Sequence, residues 1–175
     1  MSSKSKNKGS SWERDVCQTL SELYNDNFMR VPNSGAYTGG MNAHRKDYLT
    51  TEQVKLSKGD IIPPATFCNF VAECKNYADF PFHQLIKKTR IAQLDTWIEQ
   101  VEADSENKDL WLLFIKITRK GTYVLYDTTK LKPLSYGAKY RNYYMCEMSL
   151  FFKKYKDNCY KHWINLLKWG CYGKE

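Results

Sequence analysis

Leu110-Trp111-Leu112-Leu113-Phe114-Ile115-Lys116-Ile117 is apolar at almost every position, so both of its faces must be buried, as in a central strand of an α/β sheet. Thr122-Tyr123-Val124-Leu125-Tyr126 follows across Lys120-Gly121 and reads as its hairpin partner. Upstream, residues 81–103 place Leu85, Ile86, Ile91, Leu94, Trp97, Ile98 and Val101 at helical spacing. Before that helix, Gly59-Asp60-Ile61-Ile62 starts a strand that Pro63 and Pro64 stop, and Phe67-Cys68-Asn69-Phe70-Val71-Ala72-Glu73-Cys74-Lys75 alternates as a second. These two segments make a plausible hairpin. Nearer the N-terminus, Ser10 or Ser11 can cap a helix with Glu13 and Asp15 in its first turn and Trp12, Val16, Leu20 and Leu23 as its apolar stripe. Phe28-Met29-Arg30-Val31 is then a short strand. The expected architecture is α/β: a mixed central sheet flanked by helices.

A chain of 175 residues, 42% hydrophobic and 15% aromatic, is the size of one domain and too rich in aromatics to be wholly disordered. No apolar run reaches the length of a membrane span, and residues 1–9 lack the apolar segment of a secretory signal. A soluble, intracellular protein acting in the cytoplasm or nucleoid is expected, with no membrane partner. In a reducing compartment the six cysteines should be free thiols. The nearest approach to a zinc motif, Cys159 and His162 with Cys146 and Cys171 at loose distances, falls short of the close ligand pairs zinc needs.

The net charge of +8 is unevenly placed. Residues 1–10 carry three lysines and no acid, residues 11–129 carry 14 basic and 16 acidic groups, and residues 130–175 carry ten basic and three acidic. The surplus therefore lies at the ends, where a polyanion such as nucleic acid would meet it. This suggests a basic flexible N-terminus (1–9), a core (10–129) with a polar, unpatterned insertion at 41–58, and a basic aromatic extension (130–175) packed on the core. Residues 149–169 of that extension fit a helix with Phe152, Tyr155, Cys159, Trp163, Leu166 and Leu167 on one face and Lys153, Lys154, Lys156 and Lys161 off it.

Asp60, Glu73 and Lys75 are the candidate chemical centre. In a strand, Glu73 and Lys75 point to the same face, and Asp60 would start the neighbouring strand. Two carboxylates suit Mg²⁺, which takes oxygen ligands and fills its octahedron with water and substrate phosphate. A lysine beside that ion can orient or deprotonate water. A surface ion pair would use the same residue types, but charges closing an apolar run are costly unless paired or metal-bound. Asn33-Ser34-Gly35-Ala36-Tyr37-Thr38-Gly39-Gly40 could bring backbone close to a phosphate, or could simply be a linker. Arg30, Lys58, Lys87, Lys88 and Arg90 are candidate phosphate contacts, with Lys8 in the basic N-terminus; His83, Gln93 and Gln100 are weaker candidates near substrate.

Lys8-Gly9-Ser10-Ser11-Trp12-Glu13-Arg14-Asp15, Phe28 to Gly35, Gly59-Asp60-Ile61 and Val71-Ala72-Glu73-Cys74-Lys75 together resemble the PD-(D/E)XK nuclease superfamily, in particular the archaeal and phage-type Holliday junction resolvases. The resemblance spans about residues 8–127. It implies a restriction-endonuclease-like sheet, with the C-terminal helical basic aromatic tail as an addition, and a metal-dependent DNA endonuclease using Mg²⁺, for which Mn²⁺ can substitute. It assigns Glu13 to support of the metal site, Asp60 and Glu73 to direct metal ligation, Lys75 to catalysis, and Ser34, in the loop after the first strand, to the region of the scissile phosphate; Asn33 in the same loop is a candidate DNA contact. Gly59 stands where a proline is usual. The expected substrate is DNA, branched as in a four-way junction, cut by a homodimer. The alternatives are a relative acting on linear or flapped DNA and a non-catalytic nucleic-acid-binding module.

Overall fold

The computed structural model describes residues 3–32 and 58–164, with side chains from residue 9 onward. Four helices, α1 (Ser3–Tyr24), α2 (Phe82–Ile86), α3 (Ala92–Asp104) and α4 (Met148–Ile164), and seven strands, β1 (Met29–Arg30), β2 (Ile61–Ile62), β3 (Phe70–Tyr77), β4 (Leu110–Ile117), β5 (Gly121–Asp127), β6 (Ala138–Tyr140) and β7 (Tyr143–Glu147), make up these residues. The main sheet runs β3-β4-β5-β7-β6, and a small second sheet pairs β1 with β2. Only β3 and β4 are parallel, with Glu73 beside Leu113, and the connection between them carries α2 and α3. Parallel neighbours need such a crossover, because a tight turn cannot reverse the chain twice.

Alternation along β4 builds both halves of the core. Leu110, Leu112 and Phe114 face one way, onto Trp12, Val16 and Leu20 of α1 and Phe151, Phe152, Tyr155, Cys159 and Trp163 of α4. Trp111, Leu113, Ile115 and Ile117 face the other way, onto Leu94, Trp97, Ile98 and Val101 of α3. A strand sandwiched between helices has to be apolar on both faces, and this one is. The expected mixed sheet flanked by helices, restriction-endonuclease-like in form, is thus the fold observed, including a C-terminal helix on the core. Lys153, Lys154, Lys156 and Lys161 of α4 are exposed and its apolar face is buried, as its spacing requires. Leu166, Leu167 and the rest of 165–175 lie outside the described residues, as do Asn33, Ser34 and the insertion except Lys58.

Four local expectations are corrected. The segments at 59–62 and 67–75 do not form a hairpin ladder: β2 pairs antiparallel with β1, Arg30 beside Ile61. Pro63 and Pro64 have no N–H to give a ladder, and Phe67 turns into the core instead. The helix at 81–103 is two helices, because Lys88 takes a left-handed conformation (φ 55°) and the Tyr140 hydroxyl receives the Ile91 N–H. Helix α1 begins at Ser3 rather than at Ser10 or Ser11; the Ser10 hydroxyl accepts a hydrogen bond from Arg30 at 3.1 Å instead of capping. Strands β6 and β7 were not foreseen in the 130–148 region, which completes the sheet.

Trp163 anchors the extension. Its ring is fully buried, meets Phe70 edge-on at 4.8 Å between centroids, and donates its indole N–H to the Leu110 carbonyl at 3.1 Å. Replacing Trp163 with Ala removes that packing and leaves a buried carbonyl without its donor, so a loss of about 3–5 kcal/mol is expected in denaturant unfolding. A loss under about 1 kcal/mol would mean that α4 is merely laid on the surface.

Candidate active site

Strand β3 is an edge of the main sheet, and its outer rim is covered by the residues just before β2. Asp60 donates its backbone N–H to the Ala72 carbonyl at 2.8 Å, and its carboxylate Oδ2 accepts the Cys74 N–H at 2.8 Å. The Asp60 carbonyl in turn accepts the Val31 N–H at 2.9 Å, so the same residue ties both small strands to the main sheet. The approach is possible because residue 59 is glycine. Its φ is +67°, and a Cβ there would collide with the Ala72 carbonyl oxygen. Proline, locked near −65°, cannot adopt that conformation, which is the physical reason this chain carries glycine ahead of its aspartate.

Glu73 and Lys75 share the face of β3 that looks toward α3. The Lys75 ammonium donates to Glu73 Oε1 at 2.6 Å and to Gln100 Oε1 at 2.7 Å, and the Gln100 amide donates to Glu73 Oε1 at 2.6 Å. Gln100, only a weaker candidate in the sequence, thus bridges the acid and the base. Its signal was position: it lies on the flank of the amphipathic helix near Trp97, whose ring meets Tyr77 of β3 at a tilt, 4.8 Å between centroids. Cys74, between the two, turns to the opposite core, as alternation demands.

Burial, and then the negative charge of Asp60, push the Glu73 carboxyl up to about 8, against the pull of Lys75. Among the described residues no three His, Cys, Asp or Glu side chains gather as a metal-binding group, so Cys159 and His162 form no such cluster. Asp60 and Glu73, 7% and 2% exposed, nevertheless fit a divalent ion. They are hard oxygen donors whose combined charge is incompletely compensated, and Mg²⁺ commonly uses one or two carboxylates.

Glu13 stands beside this pair rather than in it. Its Oε2 accepts from Arg30 Nη1 at 3.0 Å, and burial raises its carboxyl, with the Arg30 hydrogen bond lowering it and Asp60 raising it further. Of the candidate phosphate contacts, Arg30 is thus engaged with Glu13 and Ser10, and Lys58 reaches Glu106 at 2.6 Å and Asp109 at 3.4 Å. Arg90 bonds Asp95, while Lys87 and Lys88 are exposed. His83 and Gln93 line a separate groove with Asp79 and Lys120. The side chain of Lys8, with Asn33 and Ser34, lies outside the described residues. Cys17, Cys74, Cys146 and Cys159 are free thiols. No helix among the described residues is long and apolar enough to cross a membrane.

Two measurements follow from this geometry. Because the Glu73 carboxyl titrates higher in the fold than its usual 4.5, the native state holds a proton that the unfolded chain has released. In EDTA, stability should therefore fall as pH rises from about 4.5 to about 8. Glu73→Gln should flatten that slope in melting curves, and an unchanged slope would place the carboxyl in a less desolvated environment. Gly59→Ala should lower the melting temperature and depress activity together, since the backbone contact and the carboxylate move as one; full activity would show that the close approach is dispensable.

Residues 4–170 match the model of a family described as "Phage putative PDDEXK endonuclease". No curated protein matches the chain, and no solved structure does. An acid-acid-lysine centre at the rim of a mixed sheet and a family match over nearly the whole chain agree, and the chain belongs to this PD-(D/E)XK endonuclease family.

Proposed function

We propose that the protein is a Mg²⁺-dependent DNA endonuclease whose catalytic residues are Asp60, Glu73 and Lys75, and that branched DNA, a four-way junction above all, is its substrate. The observation carrying this reading is the convergence of Lys75 and Gln100 on one oxygen of a buried Glu73, beside an Asp60 held rigidly by the edge of β3. Asp60 and Glu73 would hold a divalent ion, which would supply neutralisation of the charge that grows on the phosphate oxygens. Lys75 directs an N–H toward the attacking water, keeping it in line with the phosphorus, and in its amine form takes the proton that water loses. Gln100 limits the positions that the Lys75 ammonium and the Glu73 carboxylate can take. Glu13, through Arg30, supports the Asp60 side of the centre, and the resemblance assigns Ser34 to the region of the scissile phosphate.

Symmetric cutting of a junction needs two centres, which a twofold homodimer provides. A relative acting on linear or flapped DNA would use the same centre, so substrate choice separates the two. Purified protein should cut a four-way junction faster than a flap or a linear duplex in Mg²⁺ or Mn²⁺, and should cut nothing in EDTA. Asp60→Asn, which keeps an oxygen to accept the Cys74 N–H, and Lys75→Ala should each reduce cleavage by roughly 10²–10³-fold or more while the melting curve stays close to that of the parent. No cleavage of any substrate with either metal would end the nuclease reading; a preference for linear duplex would end the junction reading alone.

A further inference from the structure

On α3, five residues before Gln100, a buried acid holds two arginines beside a groove that two lysines also line. Asp95, 4% exposed, accepts from the Tyr140 hydroxyl at 2.6 Å, from Arg90 Nε at 2.8 Å and from Arg141 Nη2 at 3.0 Å. The Arg141 guanidinium also lies 5.4 Å from the centre of the Tyr140 ring, a cation–π distance. The arginine side chains are nonetheless 74% and 55% exposed. Each therefore spends one nitrogen on Asp95 and presents the rest of its fork to solvent, with its orientation already chosen. Lys88 and Lys139 complete the walls of this groove, which has a volume of about 380 Å³. Both are exposed, and neither side chain makes a hydrogen bond or ion pair with the described residues. Two non-glycine residues in the left-handed region, Lys88 (φ 55°) and Arg141 (φ 53°), stand at the turns that bring these charges together.

We infer that this groove is a second phosphate-binding site, which grips the DNA backbone away from the bond that is cut. Four cations line this groove, with Asp95 behind the two arginines and Glu99 near Arg90, so positive charge is in surplus there; guanidinium forks held from behind suit phosphate oxygens better than mobile lysines do. The site lies beside β6, the edge of the sheet opposite β3, about 19 Å away at ordinary strand spacing. A phosphate held there belongs to a different nucleotide from the one at Asp60 and Glu73, so the site positions DNA rather than taking part in the chemistry. The inference rests on the DNA reading of the active site, and it names surface that the reading does not require.

The test is the salt dependence of duplex binding by the full chain in EDTA, where cleavage is absent. K88Q/K139Q removes two charges that make no hydrogen bond or ion pair with the described residues. It should reduce the slope of log affinity against log salt by about 2 and weaken binding several-fold, with K88R/K139R restoring both. R90Q/R141Q should do at least as much, and if that variant fails to fold, the lysine pair decides. A K88Q/K139Q protein with the parent's slope and affinity overturns the inference, even if the parent cuts DNA normally. A parent that cuts no DNA but binds it with a slope that K88Q/K139Q lowers would overturn the nuclease reading and leave this site standing.

Discussion

The docking of Asp60 on the outer rim of β3 is the constraint on which the site depends. An edge strand has backbone donors and acceptors facing away from the sheet, and here the Ala72 carbonyl and the Cys74 N–H are both satisfied by one residue. The backbone of Asp60 takes the first and its carboxylate the second. The hydrogen bonds that close the sheet therefore also aim a negative charge along its rim, next to Glu73. One residue thus closes the sheet edge and places a carboxylate beside Glu73, and glycine at 59 makes the approach close enough.

Helix α3 carries the other side of the arrangement. One flank brings Gln100 to Glu73 and Lys75, while its first turn brings Asp95 to Tyr140 and two arginines. The Glu73 carboxyl is raised by burial and by Asp60. At Asp95 burial pushes the same way, yet the hydrogen bonds from Tyr140 and Arg90 and the charge of Arg141 outweigh it and hold the carboxyl below its ordinary value. Two buried acids on or beside one helix thus differ in how fully their charge is compensated. The under-compensated one lies beside Asp60 and Lys75, and the compensated one serves as an anchor for exposed arginines.

The C-terminal region contributes more than basic charge. Phe151, Phe152, Tyr155, Cys159 and Trp163 fill the core against α1, and Tyr24 stacks on Tyr160 at 6.1 Å between ring centroids. Strands β6 and β7 extend the sheet from which α4 emerges. Tyr140, the residue that pins the start of α3, comes from this same region. The C-terminal region is thereby joined to the face that carries Glu73 and Gln100 as well as to the core behind it.

Residue pattern alone determined the central strand at Leu110–Ile117, its partner at 122–126, the buried faces of α1 and α4, and the candidacy of Asp60, Glu73 and Lys75. Those features follow from periodicities of 2 and 3.6 and from the cost of placing charge in an apolar run, all of which are local. Tertiary structure decided the rest: β1 as the partner of β2, the break between α2 and α3, the strands at 138–147, and the bridging role of Gln100. Each of these depends on a partner distant in the chain, the Ile91 N–H on Tyr140 and the Gln100 amide on Glu73. A hydrogen bond between residues far apart leaves no period in the sequence; it exists only once the sheet has brought its two ends together.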